Sequence, residues 1–192
     1  DITSIPPIIN FIDFLLEHNY KVSFVSSGDI IKRWENQDNL KHQKINQNRK
    51  TVFHKLLSWT KFRILIKSYL KKEYQKGDLV WIGSADAAIA IGHGILDNYE
   101  YHLQIHELYD DMPFYKSRLK LFCRNAKKVI VPELNRALIF RSWYGLEETP
   151  RVIPNKPYII TESETSLPQE VVTKIDNIKK DYKILFLYQG MI

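Results

Sequence analysis

His106 and Glu107 stand side by side after the run Tyr99 to Ile105, with Asp110, Asp111 and then Pro113 close behind. An imidazole changes charge near neutral pH and can accept or donate a proton. A carboxylate beside it can orient a hydroxyl. The preceding run reads as a buried strand, so the pair falls at a carboxyl end, where open parallel sheets bind ligands. The same residues also suit a histidine that merely caps a loop. Asp110 and Asp111 suit binding of a ligand hydroxyl, solvated loop charge, or an N-cap before Pro113.

Two further polar stretches follow strands, Ser26-Ser27-Gly28 and Gly83-Ser84-Ala85-Asp86. Free N–H groups at a helix start can hold a phosphate or sugar oxygen. Turn formation and capping by Ser84 is the competing reading. Neither stretch is a P-loop or a GxGxxG fingerprint. His93 and His102 fall inside elements and read as packed or surface histidines. Cys123 is the only cysteine and lies in an apolar helix stretch, so it reads as a core thiol. One cysteine excludes an internal disulfide and fits a reducing, cytoplasmic setting. No His, Cys or carboxylate set has zinc spacing, and no metal or cofactor is expected.

The elements that position these residues follow from periodicity. Pro6 and Pro7 suit a first helical turn, and apolar residues from Ile8 to Leu16 recur at helical spacing. Residues 21–26 read as a strand, 30–35 as a helical turn, and the polar stretch 36–48 as an exposed, mobile loop. A long helix is expected over 50–75, stopped at Gly77. Strands at 79–82, 99–105, 128–131 and 151–153 then alternate with helices at 85–91 (continuing loosely to Leu96), 113–125 and 133–144. Such alternation specifies an α/β fold, a Rossmann-like parallel sheet with helices on both faces. Residues 156–168 read as a linker, 169–181 as an amphipathic helix, and Lys183 to Tyr188 as a new buried strand before Gln189-Gly190.

At 192 residues and 44% hydrophobic, the chain can bury a proper core. No apolar run approaches the ~18 residues that cross a bilayer. The chain opens at Asp1 without a Met, so the lack of a leader carries no weight. Its net charge of +6 is concentrated. From Arg49 to Lys76, nine lysines and arginines face one acid, Glu73, and the remainder is slightly acidic. These cations alternate with aromatic and aliphatic residues such as Phe53, Trp59, Phe62 and Tyr69. A helix of that kind can lie on an anionic membrane with its aromatics down. It can equally pack on a core with a solvated basic side, or hold nucleic acid. No nucleic-acid motif accompanies it, and nucleic acid is not the expected partner.

The run from Leu79 to Tyr158 resembles the amino-terminal domain of GT-B glycosyltransferases, the large retaining family called group 1 or family 4. The strand ending in His106-Glu107 carries part of the resemblance. Lys128 to Glu133 with Asn135-Arg136-Ala137 carries a second part, and Arg151-Val152-Ile153-Pro154-Asn155 a third. Lys183 to Gly190 resembles the first strand and glycine loop of the family's second domain. The resemblance implies transfer of a sugar from a nucleotide-sugar to a saccharide or lipid-linked acceptor, with retention and without a metal. His106 would reach the donor sugar. Glu107, Asp110, Ser84 and Asp86 would form the acceptor side, Pro154 and Asn155 the interdomain crossing, and Gly190 the donor-diphosphate side.

Domains are then expected at 1–155 (acceptor side), 156–182 (crossing) and 183–192 (start of the donor domain). The family's first strand would precede residue 1. Its donor domain with paired glutamates would follow residue 192, so this piece should not turn over alone. Glu147-Glu148 lie in the wrong domain for that pair, and Glu133 stands where many members have serine. The whole enzyme would be cytoplasmic, or peripheral on the inner membrane face. The rival expectation is a non-catalytic Rossmann-like module that binds a small molecule, or nucleic acid through the basic helix.

Overall fold

Pro6 and Pro7 occupy the first turn of α1 (Pro6–Glu17), where a missing N–H is harmless. The computed structural model in which this is seen describes residues 5–45, 52–156 and 169–181. The chain divides into two compact units, Asp1–Tyr158 and Ile159–Ile192.

In the first unit, α1 leads into β1 (Val22–Ser26), a single 3-10 turn (Lys32–Trp34) and β2 (Leu40–Lys44). β1 and β2 pair in parallel, Val22 opposite Leu40 through Ser26 opposite Lys44. Ile12 and Leu16 of α1 bury against Trp34, with Phe24 and Ile31 packed around them. Asp13 fixes the turn by accepting the Trp34 indole N–H at 2.7 Å and pairing with Arg33.

After α2 (Val52–Glu73) come β3 (Val80–Ile82), α3 (Ala85–Ile91), the short α4 (His93–Leu96) and β4 (Tyr101–Gln104). Then follow α5 (Pro113–Asn125), β5 (Lys128–Val131), α6 (Leu134–Tyr144) and β6 (Arg151–Val152). β3, β4, β5 and β6 form a parallel sheet in that order. Val80 and Ile82 join the main core with Phe62 and Ile66 of α2 and Ala85 and Ala88 of α3. Trp81 points to the opposite face by strand alternation. There its ring meets Phe11 of α1, with centroids 4.2 Å apart. The fold is thus α/β, with parallel strands flanked by helices.

One expectation needs correction. Residues 40–44 are a strand, not part of a loop. Their polar sequence suits an edge strand, with lysines facing outward. His42 anchors it by stacking on Phe24 at 4.5 Å. Paired with β1, this strand makes a two-stranded sheet in addition to the expected four-stranded one. Elsewhere the bounds differ by a residue or two, as at β4, which is shorter than the run 99–105.

In the second unit, α7 (Gln169–Asp181) is a regular helix held by a Lys174–Glu170 pair at 2.9 Å. The expected linker over 157–168 and the strand and glycine loop over 183–190, Gly190 included, lie outside the described residues.

Candidate functional site

Parallel pairing brings the carboxyl ends of β3, β4, β5 and β6 to one rim. Ile105 is fully buried, and its N–H donates to the Ile130 carbonyl at 2.9 Å, pinning β4 to β5. The next residue, His106, leaves the sheet half-buried. Its Nε2 lies 3.1 Å from the Gly83 carbonyl in the β3–α3 turn. A carbonyl only accepts, so Nε2 carries a proton and donates it to this bond. Gly83 is itself tightly covered. An added Cβ would meet Ile8 Cδ1 of α1 at 2.8 Å.

Ser84 caps α3, as its position suggests. Its Oγ accepts the Ala87 N–H at 3.1 Å. Asp86, exposed in the first turn of α3, accepts a short hydrogen bond from the Tyr115 hydroxyl of α5. Tyr115 stacks on Tyr109, with centroids 4.9 Å apart and planes 14° off parallel. Tyr109 adopts a left-handed backbone, φ 57°. Burial pushes its hydroxyl up to about 12, helped by the negative charges of Asp86 and Glu107.

Glu107 faces solvent and meets the Arg136 guanidinium at 3.4 Å. Arg136, from α6, is held on its other side by Glu133 at 2.9 Å. Glu107, Asp110, Asp111, Tyr109 and Arg136 line a shallow groove of about 320 Å³. Asp110 and Asp111 are exposed, and neither caps α5, whose N-cap residue is Met112 without a side-chain bond. The arrangement offers carboxylate acceptors, one guanidinium and a tyrosine ring, a set that suits a polyhydroxyl ligand.

The structure therefore brings Ser84, Asp86, His106, Glu107 and Asp110 to one side of the sheet. Pro154 and Asn155 lie exposed just after β6. There the chain is tied back by Ile153 N–H to Val131 O at 2.9 Å and by Asn10 Nδ2 to Lys156 O at 2.9 Å. Sequence reasoning gave no site role to Tyr109, Tyr115 or Arg136. Ser26 belongs to structure: its hydroxyl donates to Gly28 O at 3.1 Å and so receives the His42 Nε2–H at 3.0 Å. Cys123 is buried and its thiol is pushed far up by burial, which makes it inert. Among the described residues no three His, Cys, Asp or Glu side chains converge on a metal position.

The basic helix takes the core-packing alternative for its apolar side. Phe62 and Ile66 of α2 are core residues, and Trp59, Leu65 and Leu70 pack against that core. Arg63 donates to Ala90 O at 2.8 Å and Ile89 O at 3.3 Å, holding the end of α3. Phe62 and Trp59 therefore face the core. No helix among the described residues is long and apolar enough to cross a membrane.

A comparison with protein-family models finds no match, and a comparison with curated proteins finds none either.

Proposed function

We propose that this chain is the acceptor-side domain of a retaining glycosyltransferase of the GT-B kind. It would serve transfer from a nucleotide-sugar to a hydroxyl of a saccharide or lipid-linked acceptor. The observation that carries this reading is His106, which follows β4 with its Nε2–H tied to Gly83 O. It stands on the rim that also bears the polar groove. The order of the sequence segments that resemble the family supports the same reading.

In this reading Nδ1 of His106 accepts a hydrogen bond from a donor-sugar hydroxyl at the reaction centre. Asp110 and Glu107 accept hydrogen bonds from acceptor hydroxyls, and Tyr109 offers a ring to an apolar sugar face. The Glu107–Arg136–Glu133 chain holds the groove's carboxylate in place. Donor binding would fall to a following domain, and the enzyme would work in the cytoplasm or on the membrane's inner face.

The test uses the protein that contains this chain, assayed against a panel of nucleotide-sugars with and without membrane extract. His106→Gln keeps a donor near the Nε2 position and removes the Nδ1 acceptor. Turnover of one donor that falls by about a hundredfold or more in H106Q, with its melting temperature unchanged, supports the reading. Wild-type turnover in H106Q makes His106 a structural residue. No turnover and no binding of any nucleotide-sugar removes the transferase reading.

A further inference from the structure

A second and larger cleft lies away from the His106 rim and shares no residue with it. It is about 700 Å³ in volume and runs between the face of β2 and one side of α2. Lys41 forms one wall, and Lys61, Ser68 and Lys72 form the other, with Ile64 at the lip. One carboxylate, Glu73, answers these three cations. It pairs with Lys41 at 2.9 Å and lies 3.8 Å from Lys72. Lys61 has no ion pair among the described residues, and Lys67 and Lys71 are exposed on the adjoining surface of the helix.

Ile64 is 66% exposed, more than any other large hydrophobic side chain among the described residues. An apolar side chain ringed by lysines at the mouth of a basic cleft gains little in water. Against a bilayer it gains twice, by entering the acyl boundary while the lysines meet lipid phosphates. Nucleic acid fits less well. Base stacking needs exposed aromatic faces, but Phe62 is buried and Trp59 packs on the core. Tyr69 directs its hydroxyl to Ser23 of β1.

We propose that this face of α2, with the cleft it forms against β2, docks on an anionic lipid bilayer. The cleft receives lipid phosphate between Lys41, Lys61 and Lys72, and Ile64 inserts beside it. The contact is therefore made by the lysine side of the helix, opposite its aromatic core side. This stands independently of the transferase reading.

The test is co-sedimentation of the purified protein with vesicles of phosphatidylglycerol and phosphatidylcholine mixed, and with phosphatidylcholine alone. We expect binding to the anionic vesicles only, weakening as salt rises. Lys61→Gln and Lys72→Gln should each reduce partitioning by about fivefold, the effect of one lysine near a charged surface. Ile64→Ser should reduce it on the order of tenfold, the loss of one inserted aliphatic side chain. All three positions are exposed, and circular dichroism checks that the variants fold. Equal binding to neutral vesicles, unchanged binding in all three variants, or no vesicle binding at all overturns the proposal. So does retention by RNA or by free pyrophosphate without retention by vesicles.

Discussion

Arg136 is the residue on which the candidate groove most depends, and the one whose part the sequence hid best. It sits between Glu107 and Glu133, at 3.4 Å and 2.9 Å. Largely solvent-facing ion pairs contribute only about 0–1 kcal/mol, so Arg136→Ala should change the unfolding free energy by no more than about 1 kcal/mol. Its effect on function should be larger. Without the guanidinium, Glu107 loses its tether. Acceptor KM should rise about tenfold while kcat changes little, the pattern of lost uniform binding. An unchanged KM would put the acceptor elsewhere. His106, Glu107 and Asp110 were legible because a strand end announces itself by a break from apolar to polar. Arg136, Tyr109 and Tyr115 come from α6, the β4–α5 loop and α5. Only tertiary packing brings them together, and no spacing in the chain encodes that.

At the scale of elements, two ends are fixed by single residues. Ser84 accepts the Ala87 N–H at the start of α3, so Ser84→Ala should cost about 1 kcal/mol, read as a lower denaturant midpoint at constant slope. Gly145 ends α6 in a left-handed conformation, φ 61°. Its added Cβ would lie 3.0 Å from the Arg124 guanidinium, which donates to Tyr144 O at 2.8 Å. Gly145→Ala should therefore lose about 1–2 kcal/mol, and an unaltered midpoint would contradict the strain. Both ends were readable, as were the spans of α3, α5, β5 and α7, because caps, glycines and apolar spacing agree there. β2 was not readable. Leu40 to Lys44 has the composition of a loop, and only pairing with β1 makes it a strand. The facing of α2 stayed open in the sequence for a related reason. Its aromatics and its lysines alternate closely, and periodicity does not say whether the apolar side meets a core or a membrane.

For the molecule as a whole, three histidines on three elements set how stability responds to acid. His42 on β2, His93 in α4 and His102 on β4 are all held below the ordinary histidine range, in each case chiefly by burial. Near pH 7.5 both folded and unfolded chains carry them neutral. As pH falls through the ordinary value of 6.5, the unfolded chain takes up protons first, and folding stability declines toward the lower folded values. A separate loss begins as pH falls through the ordinary carboxylate range. Asp29, Glu73, Glu100 and Glu148 are held down by Lys44, Lys41, Lys127 and Lys128. Those pairs are exposed, so salt should weaken the second loss and leave the first. His93 isolates the first. Its ring stacks on Phe122 at 3.7 Å and 13°, and both ring nitrogens are buried without a hydrogen-bond partner. Phenylalanine there keeps the stack and cannot titrate. His93→Phe should raise the unfolding midpoint more at about pH 5.5 than at about pH 7.5. An equal shift at both pH values would mean that burial of His93 contributes nothing to the acid response, which would then rest on His42 and His102.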